Sequence, residues 1–336
     1  MRILVTGGTG YIGSHTVVEL QQQGYDVIIV DNLSNSSEEV IYNIEKITGM
    51  LPVLEVFDLC DLDRTRALFS KYHDIEAVIH FAAFKSVGES VQEPLKYYHN
   101  NIASSVNLLK CMQENEIDKL VFSSSCTVYG QPLELPVTES APLLKAESPY
   151  GNTKKIMEDV IYDTTKASPI QAIMLRYFNP IGAHESALIG EAPGGIPDNL
   201  VPFITQTAVG KREYLRVFGD DYSTPDGTPV RDYLHVVDLA KAHVVALERL
   251  LGKANKASCE VFNLGTGVGY SVLDVIRSFE HVSGMKLNYK IVDRRPGDIE
   301  KVWADTTLAN EELGWNAKKE LDEMMLSAWK WEQSHG

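Results

Sequence analysis

Tyr150 and Lys154 stand four residues apart in the stretch SPYGNTKK (148–155), behind a proline suited to a first helical turn. On a helix that spacing stacks a phenol and an ammonium group on one face. A nearby cation favours phenolate, so a tyrosine with a usual pKa of ~10 is drawn towards neutral pH and can act as a base. Taken alone, Tyr-x-x-x-Lys is also what an ordinary surface helix carries. Three serines, Ser123 to Ser125 in SSSCTVYG, close an apolar run 25 residues before the tyrosine. Hydroxyls at the carboxyl edge of a strand lie where open α/β sheets bind ligands, although such runs also serve plain turns. Serine, tyrosine and lysine in this order make a proton-transfer site beside a nicotinamide.

A place for a nicotinamide cofactor is offered where the first apolar run ends. TGGTGYIG sets Gly7, Gly10 and Gly13 at G-x-x-G-x-x-G spacing directly before a helical pattern. Glycines let the chain turn sharply, and a helix N-terminus offers amides and a positive dipole to a pyrophosphate. The plainer alternative is a tight strand-to-helix turn. The second run ends at Asp31, 18 residues after Gly13. A carboxylate there accepts hydrogen bonds from both ribose hydroxyls and repels a 2′-phosphate, so the pattern predicts NAD rather than NADP.

These residues need a frame. RILVTGG (2–8), DVIIVDN (26–32), VLEVFDL (53–59), AVIHFAA (77–83), KLVFSSS (119–125) and AIMLRYFN (172–179) read as strands. Their near-continuous apolar character suits strands covered on both faces, hence a parallel sheet. Helical patterns alternate with them, the longest starting at Pro94, which predicts a doubly wound α/β Rossmann sheet. Beyond about residue 180, EAPGGIPDN and GDDYSTPDGTPVRD read as ordered loops. Helices follow at VVDLAKAHVVALERLL and SVLDVIRSFEHVSG, with a strand at CEVFNLG. The expected division is a dinucleotide-binding domain over 1–180, rejoined by a segment near 235–262, and a smaller α/β substrate domain over 181–336.

The 336 residues are 44% hydrophobic and 23% charged, an ordinary globular composition. A net charge of −15 argues against a sequence-independent nucleic-acid binder, while a few arginines suffice for a small anionic ligand. The four cysteines show no metal-binding or C-x-x-C spacing and read as thiols of a reducing compartment. The nine histidines form no metal pattern, and His80 and His235 flank apolar runs as core residues do. No apolar run approaches the ~20 residues of a membrane span. MRILVTGG enters a strand without a leader, so a cytoplasmic protein is expected.

The glycine turn, Asp31, SSSCTVYG and YGNTK resemble the extended short-chain dehydrogenase/reductases. HFAAFKSVGES, LRYFNPIGAHES, GIPDNLVPFI, DGTPVRDYLHVVDLA, FNLGTGVGYSVLDV and RRPGD are similar to the UDP-galactose 4-epimerase family. That similarity covers essentially the whole chain. It implies an NAD-dependent isomerase that interconverts UDP-galactose and UDP-glucose through a transient 4-keto sugar. Tyr150 would take the proton from the sugar 4-hydroxyl. Lys154 would lower the tyrosine pKa and hold the nicotinamide ribose, and Ser125 would bind the same hydroxyl with Thr127 nearby. Around NAD the resemblance implies Gly7, Gly10, Tyr11, Ile12 and Gly13 at the turn, then Asp31, Asn32, Asn35 and Ser36. Asp58 and Leu59 would border the adenine, Phe81, Ala82, Lys85 and Asn100 would line the cofactor, and Tyr177 would lie near the nicotinamide. For the nucleotide sugar it implies Lys85, Asn179, Asn199, Leu200, Arg216, Arg231, Arg295 and Asp298, with Phe218 flanking the uracil. Arg231 and Arg295 suit a diphosphate because a guanidinium is planar and permanently charged. Without the surrounding motif each is as readily a surface ion pair. The resemblance also implies a homodimer pairing helices around 94–114 and 151–166.

Related 4,6-dehydratases carry an Asp-Glu pair after the serine or threonine, where this chain has Cys126 and Thr127. The glutamate of sugar-acid decarboxylases is likewise missing. Oxidation followed by re-reduction, which is epimerisation, is what remains. Ala83 stands where glycine is common, and Cys126 stands where alanine is usual. Val302 occupies a position where hexose-restricted bacterial members often carry tyrosine. The smaller side chain leaves room for a 2-acetamido group, so some activity on UDP-N-acetylglucosamine or UDP-N-acetylgalactosamine is expected. The competing readings are another NAD-dependent nucleotide-sugar epimerase or dehydratase, and a non-enzymatic NAD-binding sensor. Such sensors usually lose the tyrosine or the lysine, and both are present here.

Overall fold

The computed structural model describes residues 1–195, 197–295 and 298–335. Ile196 of GIPDNLVPFI, and Pro296 and Gly297 of RRPGD, lie outside the described residues. The apolar runs form β1 (Arg2–Thr6), β2 (Asp26–Asp31), β3 (Val53–Val56), β4 (Ile75–His80), β5 (Lys119–Ser123) and β6 (Gln171–Tyr177). Three short strands follow, β7 (Asn179–Ile181), β8 (Leu215–Phe218) and β9 (Val230–His235), before β10 (Cys259–Leu264) returns to pair with β6. The seven-stranded sheet has the order β10-β6-β5-β4-β1-β2-β3, with every pairing parallel. Successive strands step outwards in one direction from β1 and then in the other from β4. That reversal opens a crevice at the carboxyl ends of β1 and β4.

The connecting helices are α1 (Tyr11–Gln22), α2 (Glu39–Thr48), α3 (Leu62–Lys71), α4 (Val87–Gln92), α5 (Pro94–Glu114) and α6 (Pro149–Ala167). Later come α7 (Leu200–Ala208), α8 (Val236–Leu251), α9 (Val272–Ser283) and α10 (Leu321–His335). Alternate residues of β1 face opposite sides of the sheet. Ile3 and Val5 join a core with Val17 and Leu20 of α1 and Leu239 and Leu247 of α8. Leu4 joins Leu108 and Met112 of α5 and Met157 and Ile161 of α6. Both faces are thus covered, which is why these strands carry apolar residues in succession rather than in alternation.

The helix that carries Tyr150 has a defined start. Pro149 occupies its first turn, where a missing N–H is harmless, and the Ser148 hydroxyl accepts from the Gly151 amide at 3.2 Å. Tyr150 therefore falls in the first turn of α6 and Lys154 one turn deeper.

A smaller layer packs beside the sheet. β9 lies between β11 (Gly269–Ser271) and β13 (Lys301–Val302), with β7 also pairing to it, and β8 pairs with β12 (Tyr289–Val292). Val201, Ile204, Val275, Phe279, Met324 and Trp329 share the core of this layer. One expectation is corrected here. The loop read through Arg231 and Asp232 ends earlier, because Val230 to Asp232 pair with β11 on one side and β13 begins on the other. Both partners lie far along the chain, where local Gly, Pro and Asp content carries no sign of them.

Candidate active site

Gly7 leaves β1 with φ at 70°, a conformation in which a side chain is strained. A Cβ at Gly7 would lie 2.8 Å from the Ala82 backbone nitrogen, and one at Gly13 would lie 2.2 Å from the Gly7 carbonyl oxygen. The turn is therefore bare, and no side chain caps the first amides of α1. Those amides stay available to an anion. Above them a cleft runs across the sheet's crevice. Its walls include Gly7, Gly10, Tyr11, Ile12 and Gly13, then Asp31, Asn32 and Asn35. Asp58, Leu59 and Asn100 close one end, and Phe81, Ala82 and Lys85 line the β4 side.

Asp31 is held as an acceptor. Its carboxylate takes hydrogen bonds from the Thr9 amide at 3.2 Å, the Leu33 amide at 3.0 Å and the Ser36 hydroxyl at 3.3 Å. Ser36 is not in the cleft wall; it acts through Asp31 and through Thr9, whose hydroxyl is 2.7 Å from its own. The bare turn, uncapped helix start and strand-end carboxylate fit a dinucleotide with a free 2′-hydroxyl. Sequence reasoning missed Val30, Ser34, Phe57, Ala83, Phe84 and Ser104, which also line the cleft, as does Ser123, the first of the three strand-edge serines. Ser104 follows Asn100 by four residues on α5, so helical spacing could have found it. Its buried hydroxyl has no protein partner.

At the other end of the cleft lie Tyr150, Lys154 and Tyr177. The Lys154 ammonium donates to the Ser123 carbonyl oxygen at 2.7 Å and sits 5.0 Å from the Phe122 ring centroid. The hydroxyls of Ser123 and Tyr177 are 2.8 Å apart. Ser125 caps the short turn Cys126–Tyr129, accepting from the Thr127 amide at 3.2 Å and the Thr127 hydroxyl at 3.0 Å. Ser125 and Thr127 stand outside the cleft wall proper.

Burial dominates the electrostatics at this end of the cleft. Burial pushes the Tyr150 phenol well up, the Tyr177 phenol adds to this, and the Ser125 hydroxyl works in the opposite direction. Lys154 is itself pushed down to about 8 by burial, with the Glu158 carboxylate supporting its charge. Its ammonium is directed at the Ser123 backbone carbonyl. Burial also pushes the Cys126 thiol up to about 12, which keeps it from acting as an acid or base near neutral pH.

The remaining predicted residues fall into three groups outside the cleft wall. Asn199 precedes α7, which Leu200 opens, and donates through Nδ2 to Glu191 Oε1 at 2.6 Å. Lys85 reaches the same Glu191 oxygen at 3.1 Å, a link across the two layers that no sequence spacing signals. Arg216 and Phe218 share β8; the Phe218 ring centroid is 5.6 Å from each of the Arg216 and Arg295 guanidinium carbons. Arg295 pairs with Asp298 at 2.7 Å. Arg231 of β9 is in register with Val302 of β13, and Val302 is buried with Val128, Tyr129 and Phe178. Asn179 begins β7, half-buried beside these strands.

His80 and His235 are core residues. His80 meets the Thr6 hydroxyl at 2.6 Å and the Ser105 hydroxyl at 2.8 Å, and His235 meets Ser327 at 3.1 Å. Among the described residues no cluster of three His, Cys, Asp or Glu could hold a metal ion. No described helix is long and apolar enough to cross a membrane.

A family model described as GDP-mannose 4,6 dehydratase matches residues 4–327. A UDP-glucose 4-epimerase of Bacillus subtilis (strain 168) is 52% identical over 336 residues, spanning 100% of this chain and 98% of the relative. Among solved structures, a UDP-glucose-4-epimerase from Stenotrophomonas maltophila with bound NAD and formylated UDP-arabinopyranose superposes with a TM-score of 0.96. It is 50% identical, with 100% of this chain and 98% of that chain covered. The Bifidobacterium longum UDP-glucose 4-epimerase in complex with NAD+ and UDP gives a TM-score of 0.95 at 47% identity, covering 99% and 98%.

Proposed function

Because the chain belongs to the UDP-glucose 4-epimerases, within the wider family described as GDP-mannose 4,6 dehydratase, it is an NAD-dependent isomerase of UDP-glucose and UDP-galactose, and we propose how its residues divide that work. The bare glycine turn and the start of α1 hold the NAD pyrophosphate, and Asp31 holds the adenosine ribose. Asn32, Asn35 and Ser36 shape that ribose site, while Asp58, Leu59 and Asn100 close around the adenine. NAD, when bound, would supply a reversible hydride acceptor for sugar C4. Tyr150 removes the 4-hydroxyl proton and later restores it, with Ser125 orienting that oxygen and Thr127 orienting Ser125. Lys154, fixed by the Ser123 carbonyl, holds the nicotinamide ribose, and Tyr177 packs at the same end.

The UDP portion is anchored by Asn199 and Leu200 at the start of α7, by Arg216, Arg231 and Arg295, and by Asn179 and Asp298, with Phe218 beside the uracil. Firm anchoring of the nucleotide with loose holding of the sugar lets the flat 4-keto intermediate turn about its diphosphate and present its other face. The observation that carries this reading is the buried Tyr150–Lys154 pair at the end of the cleft, with Cys126 and Thr127 where dehydration needs carboxyl groups. The Cys126 thiol, pushed up to about 12, supplies no substitute acid.

A second substrate class is favoured by one residue. Val302 faces Arg231 in register, so a small side chain stands beside a proposed diphosphate ligand. That supports turnover of UDP-N-acetylhexosamines. We further read residues 1–180, with the returning segment near 235–262, as the NAD-binding domain, and the remainder as mainly UDP-sugar-binding. The pairing of β10 with β6 supports that return. The free state of all four cysteines supports a cytoplasmic setting. A homodimer through α5 and α6 completes the reading.

Proton NMR of UDP-galactose incubated with purified protein and no added cofactor tests the assignment. UDP-glucose should appear, because a cofactor regenerated in each cycle can travel with the protein. Tyr150→Phe should retain bound NAD and lose at least about 10²-fold in rate, the lower bound for a general base. No conversion by the parent protein even after NAD is added would overturn the reading.

A further inference from the structure

Ser124, the middle of the three serines, does not line the cleft. It is fully buried, and its hydroxyl donates to Glu158 Oε1 at 2.5 Å. Glu158 follows Lys154 by four residues on α6 and is buried too. It receives Arg176 of β6 through Nε at 2.9 Å and Nη2 at 2.6 Å. Arg176, immediately before Tyr177, continues through Nη1 to the Tyr129 hydroxyl at 2.9 Å, which donates to Asn263 Oδ1 at 2.7 Å. The end of β5, the body of α6 and the end of β6 therefore meet at one buried carboxylate.

Adhesion does not explain this junction. A buried ion pair costs desolvation, and an apolar replacement of similar volume is often as stable. Met157 and Ile161 already pack α6 onto the sheet. Hydrogen bonds supply what apolar contact lacks, which is direction. On one side of Ser124 is Ser123, whose carbonyl accepts the Lys154 ammonium. On the other is Ser125, the proposed partner of the sugar hydroxyl. The bond from Ser124 to Glu158 fixes the rotation of this three-residue stretch against the helix that carries Tyr150 and Lys154.

We propose that Ser124 and Glu158 are positioning residues for proton transfer, keeping the Ser123 carbonyl and the Ser125 hydroxyl in register with Lys154 and Tyr150. This rests on the epimerase reading above. The Glu158 carboxylate also supports the charge on Lys154 against the burial that opposes it. Small misplacements of reacting groups are costly, reaching about 10²-fold for 1 Å, and a fraction of that shift is at stake here.

The test is Ser124→Ala, with the parent assayed alongside for UDP-galactose turnover, bound NAD per chain and melting midpoint. The expected result is a kcat about tenfold lower, with the KM for UDP-galactose within about twofold and bound NAD unchanged. Either of two results overturns the proposal. One is a kcat within about twofold of the parent; the other is a loss of kcat shared by KM or bound NAD, which marks general loosening. Should the alanine variant not fold, Ser124→Cys fills the same space with a weaker donor and is judged by the same readouts. An inactive parent would instead count against the function itself.

Discussion

Val302 shows how much one side chain can decide. It is buried, and it lies on β13 directly opposite Arg231 of β9. On the proposed reading, Val302→Tyr adds a ring that takes space from a substituent at sugar C2 and leaves the nucleotide contacts in place. The kcat/KM for UDP-N-acetylglucosamine should fall by roughly tenfold or more, the range a mismatched pocket imposes. The value for UDP-glucose should stay within about threefold. Because enlarging a packed side chain costs about 1–3 kcal/mol, the ratio of the two substrates is the quantity to compare. Equal losses on both would sink the idea. At this scale the placing of the proposed reacting residues was legible, since Tyr150 and Lys154 fall in successive turns of α6 and both line the cleft. Their ionisation was not. Burial, which pushes Tyr150 up and Lys154 down, comes from strands and helices remote in sequence.

Elements whose ends carry their own chemistry were the readable ones. Pro94 opens α5, Pro149 opens α6, and both helices begin where the prolines predict. The seven strands of the large sheet likewise announce themselves by apolar runs. β9 did not, because its partners β7, β11 and β13 are two or three residues long and carry no pattern of their own. The link between Ser124 and Glu158 was passed over for a related reason. A serine in a run of three and a glutamate on a helix look ordinary until the fold brings them, with Arg176, to one buried carboxylate. The outer surfaces of α5 and α6 bear on assembly. Leu95 is 81% exposed, and Val106 lies eleven residues further along the same helix, about three turns on. Tyr162 of α6 is 50% exposed. A two-fold interface would bury one patch against its own copy. In sedimentation equilibrium the parent should have twice the chain mass, and Val106→Glu combined with Tyr162→Glu should have the mass of one chain. A parent that is already monomeric, or a charged variant that stays dimeric, would rule out this interface.

Among the described residues five histidines are buried; His184 follows β7, and the other four lie on different elements, His15 in α1, His80 in β4, His235 at the end of β9 and His243 in α8. Burial lowers His15 and His80 to about 3, and His235 and His243 to about 4. None has a carboxylate strong enough to restore the charge, and the Nε2 atoms of His15 and His243 have no partner. The folded state therefore keeps these rings neutral where the unfolded chain, with pKa near 6.5, binds protons. A depressed folded pKa means that stability is intact above about pH 6.5 and is lost as pH falls towards 4 and then 3. Each ring costs about 1.4 kcal/mol per pH unit across that window. Urea midpoints measured from pH 7 to pH 5 should consequently fall steeply, with an uptake of up to about four protons on unfolding. His243→Leu, which removes one titrating ring with an unpartnered nitrogen, should reduce that uptake by about one. A midpoint that stays level down to pH 5 would show that these rings are hydrated in the folded state and that the core between sheet and helices is open to protons.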